Sequence, residues 1–140
     1  MKKIIFVLSA LAMLTSGCKK PVSQFENGFV GNWKFFSVTS TGGSVTTNPT
    51  TAEIITTFQE NSNNFSFIQN GSQGSGTYSL SKNNGIAIQC QRSDFGGWPN
   101  GPWLNLFLDA INKSKSYQIR QGEELVINTS DGRVVLFKKL

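Results

Sequence analysis

The sequence lacks histidine altogether, since none occurs among its 140 residues. Histidine is the side chain whose ordinary pKa lies closest to neutral pH, and it is also the commonest metal ligand in proteins. Its absence excludes a Ser-His-Asp triad and a histidine-based zinc site. The acidic candidates that remain are eight carboxylates. No metal site and no cofactor are indicated, and we predict that the protein is not an enzyme.

These carboxylates do not form an obvious catalytic pair. Glu53 and Glu60 are an odd number of residues apart, so a regular strand would direct them to opposite faces. Glu123, Glu124 and Asp131 adjoin turn signals, where acidic side chains are usually just solvated. We therefore expect no catalytic residues, and nothing in the sequence points to a glycosidase-type pair.

Cysteine is also scarce, with only Cys18 and Cys90 in the chain. Cys18 follows a short cationic start (residues 1–3), an apolar run (residues 4–14) and three small residues (15–17). The apolar run is too short to span a bilayer, which takes roughly 20 residues, but it suits the core of a signal peptide. If Cys18 carries a lipid, Cys90 has no cysteine partner within the chain. The protein must then be stabilised by burial of apolar side chains and not by disulfides.

The segment before Cys18 resembles a lipobox, the site that lipoprotein signal peptidase cleaves after the cysteine has been diacylated. Thr15 stands where leucine is usual. The resemblance implies that residues 1–17 are a signal peptide and that lipid on Cys18 attaches the protein to a membrane. An ordinary secretory signal and an uncleaved anchor are the alternatives. Lys19 is not the aspartate associated with inner-membrane retention, so we expect a cell-envelope protein in the outer membrane.

Charge is sparse for a protein of this size. Charged residues make up 15% of the chain, against about 25% in typical domains. Loss of Lys2 and Lys3 with the signal peptide would leave a net charge of about +3. The basic residues form no stripe of the kind that nucleic-acid binding needs. We therefore expect no nucleic-acid partner.

The sequence pattern after the signal peptide predicts a lipidated cysteine and tether at residues 18–30. It then predicts a single domain with a mainly β fold at residues 31–140. Short alternations of apolar and polar residues, broken by turn signals, predict seven to eight antiparallel strands in a curved sheet or small barrel. The first strand contains Trp33, and residues 40–51 are predicted to be a loop. The glycine-rich residues 71–76 are interpreted as a hairpin turn.

One helix is predicted at about residues 102–112, before the last three strands. The apolar residues of this segment recur with the period of an amphipathic helix, and Pro102 suits its first turn. The stripe predicted to face the core consists of Trp103, Leu106, Phe107, Ala110 and Ile111.

Two features near the predicted helix are candidates for a functional role. Cys90 alternates with the inward residues Ile86 and Ile88, so we interpret it as an inert core thiol. Phe95, Trp98 and Trp103 belong to a loop rich in glycine and proline. Aromatic side chains on such a loop can bind a small hydrophobic molecule, a glycan or a protein, and they can equally fold back to cap a barrel.

The order of motifs is similar to that of the META/HslJ-like domain. Gly31-Asn32-Trp33 opens the first strand, Gly76-Thr77-Tyr78 follows a glycine-rich segment, and a helix precedes three strands that include Tyr117-Gln118-Ile119 and Asp131-Gly132. The cysteine of the family's Gly-Cys-Asn turn and the acid before its helix are absent here. The small lipocalin-like lipoproteins of Bacteroidetes are a rival resemblance.

The sequence therefore favours a membrane-anchored, non-enzymatic binding or interaction module of the cell envelope. The META/HslJ-like resemblance implies an envelope structural or stress-tolerance role instead, and the lipocalin-like resemblance implies a carrier of a hydrophobic ligand. An open apolar cavity would favour binding inside the barrel. A filled interior would favour a structural role.

Overall fold

Alternation of buried and exposed residues gives the chain nine strands in the parts described by the computed structural model, which are residues 28–60, 62–93 and 101–140. The strands, in chain order, are β1 (Gly31–Thr39), β2 (Val45–Thr47), β3 (Ile55–Phe58), β4 (Asn64–Gln69), β5 (Ser72–Ser81), β6 (Gly85–Arg92), β7 (Ser114–Arg120), β8 (Glu124–Thr129) and β9 (Val134–Lys139). A single α-helix in these residues, α1 (Pro102–Ile111), lies between β6 and β7, and a short 3-10 turn covers Thr50–Ala52.

Eight of the strands form a closed antiparallel barrel. Each pairs with its neighbour in the order β1, β3, β4, β5, β6, β7, β8, β9, and β9 pairs with β1 to complete the circle. The prediction of a mainly β barrel with one helix before the last three strands is confirmed. The ninth strand, β2, corrects the prediction of a loop at residues 40–51. It pairs with Ser37–Thr39 of β1, beyond the point where β1 leaves β3.

Aromatic side chains fill one end of the barrel around the helix. Phe107 of α1 has its ring centroid 5.3 Å from those of Phe35 and Phe67, and 6.4 Å from those of Phe65 and Phe137. All five side chains are at most 1% exposed. The helix therefore packs its central ring against four rings from three strands, and closes this end of the interior.

The helix confirms the predicted range of about residues 102–112 but not the whole predicted stripe. Phe107, Ala110 and Ile111 are buried as predicted. Leu104, which the sequence analysis did not include, is buried with them, whereas Trp103 and Leu106 are only partly buried against the core. The buried side of the helix is thus centred closer to Leu104 than the sequence pattern predicts.

Phe29 packs into the core beside the start of β1. Its ring is fully buried and lies 4.4 Å from Phe58, 4.9 Å from Tyr117 and 5.4 Å from Tyr78, measured between centroids. Its carbonyl accepts a hydrogen bond of 2.9 Å from the indole N–H of Trp33. The predicted tether at residues 18–30 is therefore too long at its C-terminal end, because Phe29 already belongs to the folded domain.

Most of the glycine-rich segment is a strand and not the predicted turn, which takes up only Asn70 and Gly71 before β5 begins at Ser72. Gly74 and Gly76 lie within β5, opposite Phe67 and Phe65 of β4. A Cβ atom added to Gly74 would lie 2.2 Å from the Phe67 ring, and one added to Gly76 would lie 1.8 Å from the carbonyl oxygen of Gln89. Glycine is required at both positions because a side chain would meet the Phe67 ring or the backbone of β6, a close approach of the kind that glycine allows within strands.

This packing gives a direct test of the fold. We predict that Gly76→Ala lowers the free energy of unfolding by about 1–3 kcal/mol, the usual cost of forcing extra atoms into a packed site. The measurement is urea unfolding followed by tryptophan fluorescence. Gly101→Ala is the matched control, because Gly101 is exposed and its added methyl would meet nothing within 4 Å. Equal stability of the two variants would contradict the packing described.

Candidate functional site

The residues that the sequence analysis singled out are only partly within the described structure. Cys18, Phe95 and Trp98 lie outside the described residues, so their predicted roles stay predictions. Trp103 lies in the first turn of α1, where it is partly buried and packs against the core. Whether Trp103 belongs to a binding surface or to a cap of the barrel stays a prediction.

Cys90 has the environment predicted for an inert thiol. It follows Ile86 and Ile88 on the inward face of β6 and packs against the core. Burial raises the pKa of the Cys90 thiol to about 12. The thiolate is the nucleophilic form of cysteine, so this thiol is unreactive at neutral pH.

A polar groove on the barrel wall is the candidate functional site. Its volume is about 320 Å³, and it is lined by Cys90 together with residues of β5, β6 and the end of α1, namely Ser75, Gly76, Thr77, Gln89, Gln91 and Asn112. The side chains of Ser75, Thr77, Gln89 and Gln91 are exposed. The groove therefore offers hydroxyl and amide groups, each of which can donate and accept hydrogen bonds.

Pairing between strands sets the spacing of these groups. Ser75 is the register partner of Gln91, and Thr77 is the register partner of Gln89. Each pair places a hydroxyl beside an amide on the outer face. The two pairs are separated by two residues along the strand, or about 7 Å. The groove thus carries the same hydroxyl–amide pair twice along one direction.

Asn112 holds the edge of the groove in place. Its Oδ1 accepts a hydrogen bond of 2.8 Å from the Cys90 N–H, and its Nδ2 donates to the Cys90 carbonyl at 3.0 Å. Nδ2 also donates to the carbonyl of Leu108 at 2.9 Å. The side chain therefore replaces a neighbouring strand for Cys90 and links β6 to the C-terminal end of the helix.

Replacement of backbone pairing by side chains continues along β6. The register of β6 with β7 is limited to Gly85 and Ser116 in the described residues. Farther along β6, the Ile88 N–H donates to Ser114 Oγ at 2.8 Å. The barrel wall is opened here by the helix, and polar side chains satisfy backbone groups that would otherwise lose a partner.

The charged side chains gather elsewhere, at the C-terminal end of α1 and the turn between β8 and β9. Arg133 Nη2 lies 2.7 Å from both Asp109 Oδ2 and Asp131 Oδ2. Lys113 Nζ lies 3.0 Å from Asp109 Oδ1 and 3.2 Å from Asp131 Oδ2. Two acids and two bases thus form a neutral cluster that ties the helix to the hairpin, and Asp131 is ion-paired where the sequence analysis interpreted it as solvated.

These contacts alter the acidity of both carboxyl groups. Hydrogen bonds from Arg133 and then Thr129 hold the pKa of Asp131 well below its ordinary value of 3.8. Hydrogen bonds from Lys113 and then Arg133 lower the pKa of Asp109. Both acids are therefore ionised and engaged with bases at neutral pH, a state suited to a structural role.

The other acids in the described residues are Glu53, Glu60, Glu123 and Glu124. Glu53 forms an ion pair with Lys34 across β1 and the segment before β3. Glu123 and Glu124 share a second polar groove, of about 470 Å³, with Lys138 and Lys139. Within residues 28–60, 62–93 and 101–140, no three acidic, cysteine or histidine side chains are grouped as metal ligands.

Sequence reasoning missed the polar groove although part of its signal was visible. Gln89 and Gln91 alternate with the inward residues of β6, so their outward placement follows from the two-residue period of a strand. The partnership of Gln91 with Ser75 depends on strand register, and the role of Asn112 depends on where the helix ends. Neither of these contacts is local in the sequence.

A comparison with known families identifies the anchor. The model for the prokaryotic membrane lipoprotein lipid attachment site matches residues 1–18, and its last residue is Cys18. The chain is thus a lipid-anchored lipoprotein of the cell envelope. None of the helices in the described residues has the length and apolar character needed to cross a membrane.

Solved structures share the fold at low sequence identity. An NMR structure of a protein from Burkholderia xenovorans covers 79% of this chain and 81% of its own, with a TM-score of 0.62 and 15% identity. The match to a crystal structure of a DUF4847 family protein from Bacteroides vulgatus covers 82% of this chain and 96% of that protein's chain, with a TM-score of 0.60 and 18% identity. No curated protein sequence matches the chain. The similarity to these structures supports the barrel fold, and it does not assign an activity to this chain.

The charged cluster gives a prediction for acid stability. A carboxyl whose pKa is lowered by folding stabilises the protein above its ordinary pKa, and this contribution is lost as pH falls through the lowered value. We expect the free energy of unfolding to fall from about pH 5 toward pH 2. Asp131→Asn should show a shallower fall, because it removes one of the two acids with a lowered pKa.

The measurement is urea unfolding at a series of pH values. Glu60→Gln is the control, because Glu60 is an exposed acid in the turn between β3 and β4. A profile for Asp131→Asn with the same slope as the wild type would show that the cluster does not stabilise the fold.

Proposed function

We propose that this lipoprotein is a non-enzymatic interaction module of the outer membrane, which recognises its partner with the outer surface of the barrel. The observation that carries the proposal is the aromatic packing inside the barrel, as formed by the described residues. Phe107 closes one end and Phe29 packs into the core at the start of β1, and both side chains are fully buried. Recognition inside the barrel would require space that these aromatic side chains occupy.

The chemistry of the described residues supports a binding role without catalysis. The chain has no histidine. Burial raises the pKa of the Cys90 thiol, and Asp109 and Asp131 are neutralised by Lys113 and Arg133. A general base or nucleophile needs a group whose protonation is poised for transfer in a cleft, and these groups are committed to structure.

Packing also bears on the alternatives from the sequence. A lipocalin-like carrier needs an apolar cavity for its ligand, and the described groove is lined by hydroxyl and amide groups. The META/HslJ-like resemblance has the same order of a helix followed by three strands. The structural or stress-tolerance role that this resemblance implies is compatible with a filled barrel, and it differs from our proposal in needing no partner.

The anchor keeps the module close to the membrane. The chain from Cys18 to Gly28 can extend at most about 35 Å, because an extended residue adds no more than about 3.6 Å. Gly28 lies beside Ile119 near the C-terminal end of β7. The tether therefore limits the distance between Gly28 and the lipid, and it leaves the barrel free to turn its outer surface toward a partner.

Native and denaturing mass spectrometry of the lipoprotein, purified from its own host in detergent, tests the proposal. We expect the denatured mass to include acyl chains, and Cys18→Ser to lose them and leave the membrane fraction. Cys90→Ser is the matched control and should keep both the lipid and the membrane location. We expect the native mass to equal the denatured mass, because the filled interior holds no small molecule.

Two outcomes would overturn this account. An unlipidated wild type, or a Cys18→Ser variant that keeps its acyl chains, would remove the anchor at Cys18. A small hydrophobic molecule bound one to one in the native protein and released on denaturation would show a carrier and not a surface module.

A further inference from the structure

The outer face of β4, β5 and β6 is free of charge. Every outward position of these three strands, all of which lie in the described residues, is occupied by a hydroxyl, amide or aliphatic side chain or by glycine. Surfaces of soluble domains are usually about 25–35% charged residues. Arg92, the last residue of β6, has the inward parity of Ile86 and Ile88. The other charged side chains of the described residues lie on the helix, in turns and connecting segments, and on other strands, so this face differs from an ordinary solvated surface.

The polar groove lies on this face, between β5 and β6. Its volume of about 320 Å³ is within the range of small-ligand sites, which is about 300–1,000 Å³. Such sites are usually apolar, whereas this one presents Ser75 and Thr77 opposite Gln91 and Gln89. A ligand that fits it must satisfy hydrogen-bond donors and acceptors in alternation and must carry no charge that needs a partner.

The groove is also held in a fixed shape. The side-chain amide of Asn112 forms two hydrogen bonds with the backbone of Cys90 and one with the Leu108 carbonyl. These three hydrogen bonds set its position. Gly76 cannot gain a side chain without meeting the Gln89 carbonyl. The backbone that lines the groove is therefore ordered before binding, so the entropy cost of binding comes mainly from the exposed side chains of Gln89 and Gln91.

We propose that this groove binds an uncharged glycan segment. Sugar hydroxyls both donate and accept hydrogen bonds, as the hydroxyl and amide groups of the groove do. An anionic ligand such as a nucleic acid would need lysine or arginine here, and an apolar ligand would leave the amides unpaired. The inference rests on the proposed function, and it names the partner class of the same outer surface.

The test begins with a microarray of neutral and acidic oligosaccharides, probed with the detergent-solubilised lipoprotein. The best neutral oligosaccharide is then titrated by calorimetry against the wild type and a Gln89→Ala/Gln91→Ala double variant. We expect the double variant to bind at least tenfold more weakly. Gln118→Ala, which changes an exposed glutamine on β7 outside the groove, should bind within twofold of the wild type.

Cooperative urea unfolding of each variant shows that the barrel is intact. Binding to no neutral oligosaccharide, or to acidic ones alone, would overturn the glycan inference. Undiminished binding by the double variant would place the glycan elsewhere on the protein and would also overturn it. None of these results would overturn the proposed surface module. That proposal is overturned by an unlipidated Cys18 or by a ligand bound inside the barrel.

Discussion

The packing of Phe107 against four aromatic rings is the interaction on which the rest of the structure depends. A closed barrel of eight strands has an interior wide enough to need filling by side chains. Here much of that filling comes from a helix inserted between β6 and β7, and Phe107 is its fully buried central ring. Backbone pairing between β6 and β7 is short, and Asn112 and Ser114 satisfy backbone groups of β6 with hydrogen bonds. The polar groove lies at this junction.

Most of the architecture could be predicted from local patterns. The two-residue alternation that buries Ile86 and Ile88 is visible in the sequence, and so is the helical spacing of Phe107 and Ile111. The parts that were wrong depend on contacts between distant residues. Gly74 lies in a strand because Phe67 of another strand covers it, and Phe29 is buried because Phe58 and Tyr117 surround it. Glycine and a residue near a tether carry no local sign of such partners.

The candidate site was less predictable than the fold for the same reason. The aromatic residues Phe95 and Trp98 were conspicuous in sequence, whereas the groove is made of ordinary polar residues on two strands and a helix end. Ser75 and Gln91 become neighbours only through register. The anchor at Cys18 was predictable, because a lipobox is read by its processing enzyme as a linear segment. The anchor is thus specified by a linear signal, whereas the proposed recognition surface exists only after folding.

The central claim is that the barrel is a solid scaffold whose recognition surface is external. Its most direct test is a crystal structure determined under xenon pressure, since xenon enters apolar cavities in proteins. The account predicts no xenon among Phe35, Phe65, Phe67 and Phe107, whose rings already occupy the interior. A well-occupied xenon site between these rings would reveal space for a ligand and would contradict the claim.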